Sequence, residues 1–174
     1  MKTIQMTIIQ FYYLNALRFS GLKYLHDRNI VHGDIKPQNV LLKDDISCVK
    51  LCDFGLSRLK TKIKQTTTKS FIEGTESYMA PETKLNGVKP NFATDVWCLG
   101  ASLIELYIQR DCWDEGEKDD DDNEVIKQFM KDKIEPHGLV AVKGKNELLY
   151  QKLKPLFHYS PGKRPTAAYL ASLW

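Results

Sequence analysis

The sequence predicts an α+β fold that is mainly helical, with short strands gathered around one loop. Three observations lead there. Apolar residues recur at spacings of three and four up to Asp27, a second run near 92–110 is apolar on almost every side, and short β-prone segments lie between the two.

The elements follow in chain order. From about residue 5 to Asp27, Leu14, Leu17, Gly21 and Leu25 mark one helical face with no proline to interrupt it, which predicts a long helix. Ile30-Val31, Val40-Leu41-Leu42 and Val49-Lys50-Leu51 are β-prone, the last two joined by a polar turn at Lys43, Asp44 and Asp45. They are expected to hold the intervening loop on rigid strand ends, which keep geometry better than free loops. Over residues 92–110, Val96, Leu99, Leu103 and Leu106 form one stripe, while Trp97, Cys98, Ala101, Ile104 and Tyr107 cover the other faces. A helix apolar all round is a buried one. Asp95, in its first turn, also suits the helix dipole. From Asp114 to Glu124, eight acids face one lysine, a local charge of −7 that leaves +10 on the remainder of a chain whose net charge is +3. Such a run reads as a solvated loop. Helical patterns resume around 124–133, 147–157 and 165–174. No repeat or Gly/Ser-rich linker divides residues 1–174, so one domain is expected.

Bulk properties narrow the function classes. With 174 residues, 43% of them hydrophobic and 27% charged, the chain has the composition of a globular domain with a sizeable core. Its small positive charge is scattered and lacks the aromatic interleaving of a nucleic-acid platform, so no nucleic-acid partner is inferred. Near the N-terminus, Gln5, Gln10, Asn15 and Arg18 interrupt the apolar residues Ile4, Met6, Ile8, Ile9 and Phe11, which argues against a signal peptide, and no stretch reaches membrane-spanning length. A soluble, cytoplasmic chain is the expectation. Cys48, Cys52, Cys98 and Cys112 lack zinc-pair spacing and read as reduced thiols.

The chemistry is concentrated in His32-Gly33-Asp34-Ile35-Lys36-Pro37-Gln38-Asn39, followed fourteen residues after its Asn by Asp53-Phe54-Gly55. Lys36 and Asn39 stand two and five residues beyond Asp34, so one short loop presents a carboxylate, an ammonium and an amide, and a second carboxylate arrives from the next hairpin. That donor set suits a magnesium-phosphate site: Asp34 to accept a proton from an attacking hydroxyl, Lys36 to neutralise a transferring phosphoryl group, Asn39 and Asp53 to hold metal ions. Asp-Phe-Gly by itself is more often an ordinary turn. Here it is followed by Ala80-Pro81-Glu82, Asp95-Val96-Trp97 and Arg164-Pro165-Thr166-Ala167.

These pieces, in this order, resemble the catalytic loop, metal-binding motif and activation-segment end of the protein kinase family. The resemblance implies the large lobe of the kinase fold, with an activation segment at about 53–82 and with ATP, Mg and a protein substrate as partners. It assigns catalysis to Asp34, Lys36 and Thr75, nucleotide contacts to Lys36, Asn39, Leu41 and Asp53, and metal binding to Asn39 and Asp53. Lys36 and Thr75, the latter within Gly74-Thr75-Glu76-Ser77-Tyr78, match the serine/threonine branch, where the threonine hydroxyl bonds the catalytic Asp and Lys. Asp95 corresponds to the acid that fixes the catalytic-loop backbone, Glu82 and Arg164 to a structural ion pair, and His32 and Phe54 to the lower members of a packed spine.

Two departures qualify the resemblance. Gly33 replaces the arginine that commonly binds an activation-loop phosphate, so a phosphate on Thr66, Thr67, Thr68 or Ser70 loses one charged partner, and weak dependence on such a phosphate is expected. Arg58, Lys60, Lys62, Lys64 and Lys69 could substitute in part, although a solvated basic loop is the plainer reading. The second departure is larger. The first motif begins only 31 residues into the chain, with no Gly-rich phosphate loop and no strand lysine in a Val-Ala-Ile-Lys-like context before it. The reading is therefore a serine/threonine protein kinase represented by its large lobe, the small β-rich lobe absent, with half an ATP site and no activity as this chain alone. The alternatives are a pseudokinase or interaction module, including one that competes with a full-length kinase.

Overall fold

The computed structural model describes residues 19–42, 49–59, 74–114 and 123–173. Expectations for residues 5–18, the turn at 43–45, Cys48, the basic and hydroxyl-bearing stretch 60–73, and 115–122 of the acidic run lie outside them. In chain order the described elements are helix α1 (19–27), strands β1 (Ile30–Val31), β2 (Val40–Leu42), β3 (Val49–Leu51) and β4 (Arg58–Leu59), and helices α2 (Pro81–Asn86), α3 (Phe92–Ile108), α4 (Asn123–Lys131), α5 (His137–Lys145), α6 (Glu147–Leu153) and α7 (Ala167–Leu173). The mainly helical α+β class is as the sequence predicted.

The helix before the loop ends at Asp27 as expected. Asn29 takes a left-handed φ of 58°, and its N–H donates to His26 O at 2.9 Å. Asn tolerates that conformation better than most residues. The chain then enters β1, which pairs antiparallel with β4 through Ile30↔Leu59 and Val31↔Arg58. That ribbon was not predicted, because Arg58-Leu59 is too short to carry a period of two. The other hairpin was: β2 and β3 pair antiparallel, with Val40 opposite Leu51 and Leu42 opposite Val49. The two ribbons flank the motif-bearing loop.

α3 is the pillar. Its start is fixed by a capping box in which Asn91 Oδ1 accepts from Ala93 N at 2.8 Å and Thr94 N at 3.2 Å, while Thr94 Oγ1 accepts from Asn91 N at 2.8 Å. Such a cap stabilises a helix by about 1 kcal/mol. Val96, Trp97, Leu99, Leu103 and Ile104 are all buried, as the all-round apolar pattern required, whereas Leu106 and Tyr107 near the helix end are half-buried. Phe157 and Tyr159 meet the Trp97 ring edge-on at 5.1 and 5.6 Å, so the C-terminal segment is fastened to the same helix.

Two helices were not expected. α2 is a short turn started by Pro81, and α5 follows Pro136 with no amphipathic pattern and two glycines, Gly138 and Gly144. Packing explains α5: a Cβ on Gly138 would stand 2.5 Å from Ile104 Cγ2, so only glycine lets this helix lie so close to α3. The pattern at 147–157 divides into α6 and a 3₁₀ turn at Lys154–Phe157 that carries Pro155. Cys52, Cys98 and Cys112 are free, the last two buried. Among the described residues no helix is long and apolar enough to cross a membrane.

Candidate active site

The loop after β1 is clamped from below. Asp95, fully buried in the first turn of α3, accepts from His32 N through Oδ2 and from Gly33 N through Oδ1, each at 2.9 Å. Its Oδ2 also meets His26 Nε2 at 3.0 Å, and the His26 ring stacks on Phe92. His26 escaped sequence reading because a lone histidine near a helix end carries no spacing signal. Buried His32 donates from Nε2 to Cys52 O at 3.1 Å, and Ser57 Oγ donates to His32 O at 3.0 Å. Gly33 has φ +85°, where a Cβ would also come within 3.1 Å of Leu56 O. The residue that departs from the family pattern is thus fitted to its backbone.

Above the clamp, three expected residues converge. Thr75 donates to Asp34 Oδ1 through both its N–H and its hydroxyl, each at 3.0 Å, and its Oγ1 accepts from Lys36 Nζ at 2.6 Å. Lys36 Nζ lies 2.8 Å from Asp34 Oδ2, closing the triangle. Asn39, buried in the 3₁₀ turn Pro37–Asn39, donates from Nδ2 to Asp34 O at 2.8 Å and to Asp34 Oδ2 at 3.2 Å. Burial pushes the Asp34 carboxyl up, but the bonds from Lys36 and from the Thr75 amide and hydroxyl, with the charge of Lys36, outweigh it and hold the group below the ordinary carboxylate value. Asp34 is therefore ionised at neutral pH and acts as an acceptor. Thr75 reaches it because Gly74, at φ +117°, passes so close to the loop that a Cβ would stand 3.3 Å from Gly33 O.

Asp53, Phe54 and Leu41 are more exposed than the converging residues. Cys52 N donates to Asn39 O at 2.9 Å, which brings the residue before Asp53 against Asn39. Asp53 is exposed, has φ 60°, and accepts from Gly55 N at 3.2 Å. An amide oxygen on Asn39 and a carboxylate on Asp53 are hard donors and fit Mg²⁺, which takes one or two protein carboxylates and completes its shell with water and substrate phosphates. Among the described residues no group of three or more His, Cys, Asp or Glu is placed to hold a metal ion. Leu41 is 56% exposed and Phe54 49%. The Phe54 ring touches His32 at 5.3 Å, so the two expected spine residues meet, with Phe54 left half in solvent.

The segment after Thr75 is tied down separately. Arg164 NH1 and NH2 bond Glu82 Oε1 and Oε2 at 2.7 and 2.8 Å, a bidentate pair with the guanidinium side chain fully buried. Arg164 also donates to Ala93 O and His158 O, and stacks over Trp97 at 4.9 Å. Tyr78 donates to Glu105 on α3. Burial, the bond to Tyr78 opposing it, raises the Glu105 carboxyl above its ordinary value. Lys84 went unnoticed in the sequence, since a lysine two residues after a glutamate in a short helix reads as solvent-facing. It is buried instead, donating to Glu76 O at 3.1 Å and Asn123 Oδ1 at 2.7 Å, and so joins the 3₁₀ turn Glu76–Tyr78 to the head of α4.

Comparison with known proteins finds a family match. The sequence model of the protein kinase domain matches residues 1–173. The chain is 47% identical over 92 residues to the MAP kinase kinase skh1/pek1 of Schizosaccharomyces pombe, covering 52% of this chain and 23% of that protein. It is 45% identical over 90 residues to the serine/threonine-protein kinase RUNKEL of Arabidopsis thaliana, covering 52% and 6%. It is 37% identical over 120 residues to the dual specificity protein kinase FUZ7 of Mycosarcoma maydis, covering 67% and 26%. The matched stretch is thus a minor part of each relative's length.

Proposed function

The chain belongs to the protein kinase family, and we propose that it carries the acceptor-side and metal-side half of a serine/threonine protein kinase site. The observation that supports this best is the closed triangle of Asp34, Lys36 and Thr75, with Thr75 Oγ1 accepting from Lys36 and donating to Asp34. In the proposed reaction a protein hydroxyl attacks the γ-phosphorus of ATP. Its proton passes to the Asp34 carboxylate as the β–γ bridging P–O bond breaks, leaving ADP. Lys36 balances the charge on the transferring oxygens, and Thr75 fixes the rotamers of both groups. Asn39 and Asp53 would hold Mg²⁺, which supplies charge neutralisation between the β- and γ-phosphates when bound. Leu41, exposed on β2, would lie beneath the adenine. The longest bond to Asp34, from Asn39, is the one an incoming hydroxyl displaces most cheaply.

In this reading the 174 residues alone do not turn over, because they include no Gly-rich loop or strand lysine to grip the α- and β-phosphates. Mg-ATP at a hundred times its Kd would stabilise a competent fold by ~2.7 kcal/mol. The expected shift for the isolated chain is far smaller, measured by denaturant unfolding with and without nucleotide. The decisive experiment joins the small lobe of the S. pombe relative to this chain and follows phosphate transfer to serine, threonine and tyrosine peptides. Serine and threonine acceptors are expected to react, and Asp34→Asn to slow transfer by ~10²–10⁴-fold. A chimaera that binds Mg-ATP yet transfers nothing overturns the kinase reading in favour of an interaction module. Tyrosine transfer at a matching rate overturns the acceptor assignment. The same chimaera, with and without phosphate on the 66–70 stretch, tests the weak phosphate dependence expected from Gly33; a large gain on phosphorylation defeats it.

A further inference from the structure

We propose that the cleft between the tail of α4, α5 and the end of α6 is a docking site for an acidic segment of a partner protein that inserts one aromatic side chain. The cleft shares no residue with the candidate active site. Its volume is ≈ 510 Å³, within the ~300–1,000 Å³ range of ligand-sized sites. The floor is apolar and rigid. Leu139 is fully buried on α5, Phe157 and Tyr159 are pinned edge-on to Trp97, and the Tyr159 hydroxyl donates to Ile134 O at 2.7 Å.

The rim is cationic. Lys133, Lys154 and Lys163 surround this floor against a single acid, Glu135. Glu135 is already engaged, by Lys154 Nζ at 3.1 Å and by the Tyr150 hydroxyl at 3.2 Å. Lys133 and Lys163 are exposed, and among the described residues neither forms an ion pair, so no described acid compensates these two amines of the rim. Lys133 also sits at φ 56° just past α4, a left-handed position where glycine or asparagine costs less. Charge complementarity therefore selects an acidic occupant, and an aromatic-walled pit selects a flat apolar side chain, which gains offset or edge contacts there. A concave pit ringed by amines suits a peptide better than a lipid surface, which would need a flat basic face.

The test uses the whole 174-residue chain and a fluorescein-labelled peptide, Asp-Glu-Glu-Phe-Asp-Glu, followed by anisotropy. Saturable binding is expected, weakened at least tenfold by the double substitution Lys133→Glu and Lys163→Glu, and at least tenfold when the peptide's Phe is replaced by Ala. Both lysines are exposed, so the variant keeps its circular dichroism spectrum. Absence of saturable binding overturns the proposal. So does equal binding by the double variant, or equal binding of the Ala peptide, which would mark diffuse charge attraction. A tenfold gain on changing Asp119, Asp120, Asp121 and Asp122 to Asn would mean that the chain's own acidic run fills the cleft. Capture of phosphatidylserine vesicles that is lost in the double variant, with peptide affinity unchanged, would assign the rim to a membrane.

Discussion

Asp95 and Asp53 are carboxylates bordering the same loop, and their surroundings are opposite. Asp95 is buried and takes bonds from His26, His32 and Gly33. Asp53 is exposed, with Gly55 N as its one donor among the described contacts. The same division runs through the molecule. Below the loop, α3, Arg164 and Glu82 form a closed interior in which the charged groups are paired, although Trp97 Nε1 is buried with no hydrogen-bond partner among the described residues; above it, Leu41, Asp53 and Phe54 are exposed. The difference teaches that the buried groups serve positioning, and, under the proposed function, that ligand contact falls to the exposed face, so substitutions below should act through stability and those above through binding.

The largest expected effect lies below. Arg164→Ala would leave Glu82 without its bidentate partner and remove the guanidinium bond to Ala93 O, and breaking a buried pair in this way costs ~3–5 kcal/mol. Urea unfolding measures it. A loss under ~1 kcal/mol, the worth of an exposed pair, would break the contrast between the faces.

Two glycines of α5 sharpen the comparison at the next level. Gly138→Ala drives a methyl toward Ile104, with Ile108 and Cys112 close behind, so overpacking should cost ~1–3 kcal/mol. Gly144 has nothing within 4 Å, and Gly144→Ala should leave stability unchanged or raise it by up to ~1 kcal/mol through helix propensity. Opposite signs in thermal unfolding are the expected result.

These glycines also show where sequence reading stopped. The buried face of α3 was legible because every side of it is apolar, and the converging Asp34, Lys36, Thr75 and Asn39 were legible because family motifs name them. α5 was not, since its segment carries two glycines and a Val-Ala-Val run with neither helical nor strand period, and what makes it a helix is the close approach to α3 at Gly138. Lys84 and His26 were missed for a related reason. Their partners Glu76, Asn123 and Asp95 lie in other elements, and pairings across elements leave no local spacing to read.

Asp34 stands between the two faces and ties stability to pH. Its folded-state pKa is depressed, so its contribution is fully present above the ordinary carboxylate pKa of ~3.9 and is lost as pH falls below that toward the folded value. Wild-type stability should therefore fall more steeply than that of Asp34→Asn over this acid range, as denaturant midpoints at successive pH values would show. Parallel curves would mean that Lys36 and Thr75 do not hold the carboxylate as described.

The smallest expected effects are on the upper face, and they decide what that face is for. Leu41 is 56% exposed and Phe54 49%, so Leu41→Ala and Phe54→Ala remove only half-buried side chains and should each cost no more than ~1 kcal/mol, Phe54 the more because its ring touches His32. If Leu41 underlies a nucleotide, its loss should appear as weaker Mg-ATP binding in the chimaera while the unfolding midpoint of the chain shifts only by that small cost. A large destabilisation that grows with protein concentration would instead show these residues covered by a second copy. In that event the upper face would be an interface, and the division between a closed lower face and an open upper one would fail.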